Sequence, residues 1–351
     1  MGLNTERRDF LTSSLYWSLG VLGLHRLQGL ITSAAFPSSG PTDSRKEQTG
    51  RKGETSTIVI CHDDGVRRTG GGLDEQVMDR MLEAALLTLT GAPSAAEAWR
   101  RFVHPGDILG VKVNCLAGRG LSTHPELVRA MVRGLQSAGI AGERIIIWDR
   151  LSEDLQRAGY TLKMNGKGPR CYGNDTPGAD YERDLTVIGS VGSRLSRILT
   201  RQCTAIINVP VLKDHSIAGI SVSLKNFFGA IDNPNKYHRD GCNPYVADLC
   251  AVGAIASKSR LIICDALTAQ YEGGPPYMPQ WAWPMNSIIV GTDPVALDQV
   301  AWETIESKRK EAGLPSLAEA GREPVYIATA ADEQHGLGWN DPRRIKVIRT
   351  S

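Results

Sequence analysis

The sequence predicts an α/β fold: a mostly parallel sheet with helices on both faces and a ligand cleft at the C-terminal ends of the strands. Three observations predict it. Short apolar runs alternate with segments of helical period along the chain, the pattern of successive βαβ units. Several runs, such as Ala205, Ile206 and Ile207, are apolar throughout, as strands covered on both faces are. Nearly every run ends in His, Asn or Asp, the point at which open α/β sheets gather their ligands.

The elements follow in order. Arg7 and Arg8 precede Asp9, Phe10 and Leu11, and a mildly apolar stretch runs to Leu24 before His25 and Arg26 interrupt it. That stretch is shorter than the roughly 20 residues a membrane span requires, and it has the form of a twin-arginine export signal over residues 1–36. Ser33, Ala34 and Ala35 offer a cleavage site. A chance arginine pair and an uncleaved anchor are the alternatives, and only the latter would keep the protein at a membrane. The twin-arginine translocase is the partner implied during export, with a periplasmic or extracytoplasmic destination. Residues 37–56, polar and rich in Gly, Ser, Lys and Arg, read as a linker to a single domain over 57–351.

Within that domain a strand over 57–61 leads into His62 and Asp63, and a helix covers 73–89. A strand over 107–113 ends at Asn114. Thr123 and Glu126 have the capping-box spacing that opens a helix through Leu127, Val128, Met131, Val132 and Leu135. A strand over 144–148 ends at Asp149. The run at Ala205 ends at Asn208 and Pro210, and the loop after it carries Lys213, Asp214 and His215. Residues 218–229 are rich in small side chains and close on Lys225 and Asn226; a helix there would place Ser221 and Lys225 on one face. A helix over 245–257 precedes a strand over 261–264 that ends at Asp265. A last strand over 287–290 leads to Asp293, the N-cap of a helix that starts at Pro294 and carries Asp298 on the stripe of Trp302 and Ile305. The long irregular stretches 160–184 and 270–286 are candidates to cover the cleft or simply the core.

Lys and Arg number 40 against 38 Asp and Glu, scattered rather than gathered into a stripe, which argues against nucleic acid as a partner. Seven cysteines, an odd number without a CxxC pair, read as buried thiols. Neither a disulfide framework nor a cysteine-held iron–sulfur cluster is expected.

Lys112-Val113-Asn114, Thr123-His124-Pro125, Asn208-Val209-Pro210 with Leu212-Lys213 and His215, Ser223-Leu224-Lys225-Asn226 with Gly229, and Gly291-Thr292-Asp293-Pro294-Val295-Ala296 with Asp298 follow in one order. In that order they resemble the signatures of domain-of-unknown-function family 362. The resemblance supports the fold and nominates site residues; it implies no substrate. The cysteine-rich ferredoxin-type modules of some similar proteins are absent.

Lys112, His215 and Lys225 are the candidate catalytic residues, and Asn114, His124, Asn208, Lys213, Asn226 and Asp298 the candidate ligand contacts. His215 and His238 with Asp149, Asp265 and Asp293 form the right donor types for a divalent or transition metal, although their spacing names no particular site. Two functions compete. One is an exported enzyme using a metal or pre-loaded cofactor; the other is a non-catalytic binding protein whose lysines hold a small carboxylate or phosphate. A third reading makes the polar residues ordinary strand ends and helix caps, and the protein an interaction partner of other exported proteins. In either of the first two a small molecule is the ligand.

Overall fold

The computed structural model describes residues 54–351 of the chain; the twin-arginine segment and most of the linker lie outside the described residues. In chain order the strands are β1 (Ser56–His62), β2 (Leu109–Lys112), β3 (Ile145–Trp148), β4 (Arg170–Cys171), β5 (Thr186–Ile188), β6 (Val191–Ser193), β7 (Ala205–Asn208), β8 (Val211–His215), β9 (Gly219–Ile220), β10 (Ser259–Gln270), β11 (Ala282–Trp283), β12 (Ser287–Gly291) and β13 (Ile345–Thr350). The α-helices are α1 (Glu75–Thr90), α2 (Ala95–Arg100), α3 (Pro125–Ser137), α4 (Ser152–Arg157), α5 (Tyr245–Cys250), α6 (Gly253–Ala256), α7 (Pro294–Glu311) and α8 (Tyr326–Ala331). None of the described helices is long and apolar enough to cross a membrane.

Successive side chains of a strand leave opposite faces, so an unbroken apolar strand feeds two cores. In β1, Ile58 and Ile60 join one core while Val59 and Cys61 join the other. The first core holds α7 and α8 through Leu297, Ile305 and Tyr326; the second holds α1 and α3 through Met78, Met81, Leu127 and Met131. Each such side chain taken fully out of water contributes about 1.5–3 kcal/mol. The result is a mixed α/β layer structure with a mostly parallel central sheet and helices packed against it.

The strand order is β13-β1-β12-β10-β7-β2-β3-β4. All neighbours in this order run parallel except at β12, which is antiparallel to both β1 and β10. That exception is a single reversed strand, with β1 and β13 beyond it again parallel to β10. Asp293, just beyond β12, lies at the edge where β1 begins: Ser56 donates to its carboxylate, and Val295 and Ala296 donate their backbone N–H groups to it. It is the N-cap of α7, as expected, but it does not belong with Asn114, Asp149 and Asn208 at the opposite edge.

Other expectations are corrected. Ser56, placed in the linker, is the first residue of β1. Val211–His215 is a strand and not a loop, because it continues β7 past Pro210 and pairs with β10 at Asp265 and Gln270. Residues 218–229 form the short β9 and a 3-10 turn over Lys225–Ala230, so Ser221 and Lys225 are not one helical turn apart. The 245–257 helix is broken into α5 and α6. The capping box at Thr123 does not form: His124 is the N-cap of α3, and the Thr123 hydroxyl donates to Val209 O while accepting Asn114 N–H. Asp265 sits inside the twelve-residue β10 and not beyond its end.

Candidate functional site

The C-terminal ends of β2, β3 and β7 meet over a buried polar network. Lys112 is fully buried, and its ammonium pairs with Asp149 Oδ1 at 2.7 Å while donating to Val113 O at 2.7 Å. Asp149 also accepts the backbone N–H of Cys115 at 2.7 Å and of Arg150 at 2.8 Å. Charge and hydrogen-bond demand are both met, which is what keeps a buried pair tolerable. Gly229 makes the room: a Cβ there would lie 2.8 Å from Lys112 Nζ and 2.9 Å from Asp149 Oδ1.

Amide side chains carry the network onward. Asn226 accepts from Lys112 Nζ at 3.3 Å and from Asn114 Nδ2 at 3.1 Å, and donates to Asn208 Oδ1 at 2.7 Å. Asn208 in turn donates to Ser223 O at 2.9 Å. Asn114 Oδ1 accepts from Lys213 Nζ at 2.7 Å. Lys213 is 1% exposed, and among the described residues no carboxylate lies within ion-pair distance of it. Burial pulls its ammonium down to about 8 from the ordinary lysine value, against the attraction of Asp149.

Lys225, 5% exposed, shares that condition. Its Nζ lies 3.1 Å from His238 Nε2 and 4.3 Å from the centre of the Phe228 ring, and burial likewise brings its ammonium down to about 8. His238 Nδ1 donates to Pro234 O at 3.0 Å, so Nε2 is the lone-pair nitrogen that accepts from Lys225. His215 stacks on His238 with ring centres 5.5 Å apart. Its Nδ1 accepts the backbone N–H of Ile217 and Ala218 at 3.1 and 3.2 Å. Burial and then the nearby Lys225 charge push His215 down to about 2, so it is a neutral ring at any ordinary pH. Lys225 and His215 are linked through His238, which hydrogen-bonds the lysine and stacks on the second imidazole.

Two carboxylates hold the frame. Asp298, fully buried on α7, accepts the backbone N–H of Ser223 at 2.7 Å and of Leu224 at 3.1 Å, which places the turn bearing Lys225 and Asn226. Asp214, between Lys213 and His215, faces away from them and accepts from Arg322 Nη1 at 2.8 Å and Gly274 N–H at 2.9 Å. This ties the 270–286 stretch to β8. Within that stretch Tyr277 lies against Gly120, and Tyr271, Trp281 and Trp283 pack on the core. From the 160–184 stretch, Asn174 donates to Gly229 O at 2.8 Å, beside the Lys112–Asp149 pair.

The five candidate metal ligands are not brought together. Among the described residues no group of three or more His, Cys, Asp or Glu is placed to hold a metal ion. Both ring nitrogens of His238 are engaged, Asp149 is held by Lys112, and Asp293 is at the far edge. Asp265 is taken by His124, whose backbone N–H and Nδ1 both meet Oδ2, at 2.7 and 2.8 Å. Burial opposes charge on that imidazole, but Asp265 prevails and raises its pKa above the ordinary histidine value. All seven cysteines are free and buried.

A family model described as a domain of unknown function, DUF362, matches residues 110–303, a stretch that runs from just before Lys112 to just past Asp298. The chain belongs to the DUF362 family. No curated protein matches it. The crystal structure of a Thermotoga maritima protein solved within a structural genomics consortium is similar at 12% identity and a TM-score of 0.37, over 71% of this chain and 60% of that one. The DUF362 chain thus spans less than two thirds of the length of that protein.

Sequence reasoning nominated the lysines and asparagines of this DUF362 site but missed Asp214, Arg322 and Asn174. Asp214 and Arg322 are 108 positions apart, and no local spacing links them. The alternation Lys213-Asp214-His215 was the available signal, since in a strand it sends the aspartate to the face opposite its neighbours.

Proposed function

We propose that this DUF362 protein holds a small carboxylate or phosphate at the strand edge where Lys213, Lys225 and His215 meet, and that it does so outside the cytoplasm. One observation carries the first part: Lys213 and Lys225 are both buried with no carboxylate partner among the described residues. An ammonium has three donors; Lys213 spends one on Asn114, and Lys225 one on His238. Buried charge of one sign is costly until a counter-ion arrives, and a bound anion supplies both the charge and the missing acceptors. The neighbouring Asp149 attracts Lys213 from beyond ion-pair distance, but its carboxylate is paired with Lys112.

Titration calorimetry with inorganic phosphate and with oxalate tests this. The full-length protein is expected to bind at least one of them, and Lys213→Met to weaken that binding about 30-fold or more, the equivalent of about 2 kcal/mol or above. The pH dependence has a defined sign. Both lysine pKa values stand at about 8, so the cationic site is complete below that pH and affinity falls as pH rises through it. Equal affinity at pH 7 and pH 9.5, or in Lys213→Met and the parent, would remove the lysines from the site.

The location rests on Arg7 and Arg8. Replacing both by Lys is expected to leave precursor in the cytoplasm, because twin-arginine export reads the guanidinium pair. Fractionation that finds the variant exported as before would dismiss it.

A further inference from the structure

The two uncompensated lysines differ in what they touch. Lys213 donates to the Asn114 amide oxygen, which does not take up a proton at any ordinary pH. Lys225 donates to the lone pair of His238 Nε2, and that imidazole is held in this tautomer by its Nδ1–H bond to Pro234 O. A base is therefore already in hydrogen-bond contact with one of the two ammonium groups. Lys225 itself is buried, with the Phe228 ring 4.3 Å from its nitrogen and 5.4 Å from the centre of the half-buried His238 ring, on which His215 stacks. A lysine in a desolvated pocket beside other cationic groups is how amine nucleophiles are activated. The one thiol near it, Cys242, is buried and its pKa is raised by that burial, so it does not compete.

We propose that Lys225 is a nucleophilic amine that captures the carbonyl group of a small carbonyl-bearing anion, a 2-oxo carboxylate or an aldehyde phosphate, as an imine. This rests on the anion-site reading above, with Lys213 holding the carboxylate or phosphate end. Lys225 passes a proton to His238 Nε2, and its nitrogen lone pair forms the C–N bond as the C=O π pair moves to oxygen. One of the two protons left on the attacking nitrogen passes to the carbonyl oxygen to give the carbinolamine; the proton held on His238 then goes to its hydroxyl, the C–O bond breaks as the nitrogen lone pair forms the C=N bond, and water leaves. The net change is ammonium plus carbonyl to iminium plus water, with no oxidant or reductant. Lys225 differs here from a buried lysine that only packs against Phe228, because packing confers no reactivity.

The test is reductive trapping on the full-length protein. Pyruvate in one arm and glycolaldehyde phosphate in the other are added with sodium borohydride, and adducts are mapped by peptide mass spectrometry. Lys225 is expected to be modified at least 10-fold above every other lysine in one arm, and which arm does so identifies the anionic group. Lys213→Met is expected to reduce that labelling about 30-fold, and His238→Gln to slow it about 10-fold with the fold retained by circular dichroism. Lys225→Arg is expected to abolish the site-specific adduct. If phosphate or oxalate binds but neither probe labels Lys225 above the surface lysines, the imine proposal is overturned and the anion site stands. If no anion binds and no adduct forms, both are overturned.

Discussion

Asp149→Ala is expected to lower the unfolding free energy by about 3–5 kcal/mol, the cost of leaving a buried charge without its partner. Lys112 is fully buried, and its only carboxylate partner among the described residues is Asp149 at 2.7 Å. The truncation also orphans the backbone N–H groups of Cys115 and Arg150. Against a typical total of 5–15 kcal/mol, that is enough to threaten the folded state. Removing both charges is expected to cost less than removing one, so Lys112→Met combined with Asp149→Asn should recover part of the loss. Urea denaturation of the single and double variants measures it; a single-variant loss under about 1 kcal/mol, within what an exposed pair contributes, would contradict the burial of this pair.

Asp298→Ala is expected to rank second, at about 2–6 kcal/mol. Two buried backbone donors, Ser223 N–H and Leu224 N–H, each cost about 1–3 kcal/mol when left unmet. The damage should also reach the site, since these two bonds place the turn that carries Lys225 and Asn226. Loss of phosphate or oxalate binding in a variant that still folds is therefore expected alongside the stability change. Asp298→Asn, which keeps one acceptor oxygen, should lose roughly half as much. The pH dependence has a sign too. Burial raises the Asp298 carboxyl from 3.8 to about 8, against the two N–H donors, so the folded state holds a proton that the unfolded state releases. Its contribution is complete below pH 3.8 and declines as pH rises toward 8, so Asp298→Ala should flatten the fall in stability over that window. Denaturation at pH 5 and pH 7.5 checks it, and an unchanged slope would count against it.

Much of the site was legible because its residues sit at the ends of apolar runs. Lys112 between Val111 and Val113 announces a buried cation in need of a partner, and Asp298 beside Leu297 announces a buried carboxylate. Neither sequence position says what the partner is. Asp149, offered as a metal ligand, is the counter-ion of Lys112; Asp265, offered likewise, orients His124. Carboxylates at a sheet edge suit either use, and the choice depends on which cation lies nearest in space.

The sequence by itself determined the α/β class, the two-sided burial of the sheet and the crowding of polar residues at its edge. These follow from local period and composition, which each segment carries alone. Tertiary structure decided the rest. Strand direction at β12 is set by how the chain returns from β10, and reversing that one strand moved Asp293 to the other edge while leaving its capping role intact. The extension of β7 into β8 turned an expected loop into a strand because β10 is long enough to pair with both. Which lysines end up paired, and which are left buried without a carboxylate partner among the described residues, depends on contacts between residues tens to a hundred positions apart. Such contacts leave no periodic trace, because they are fixed by packing and charge balance in the folded core.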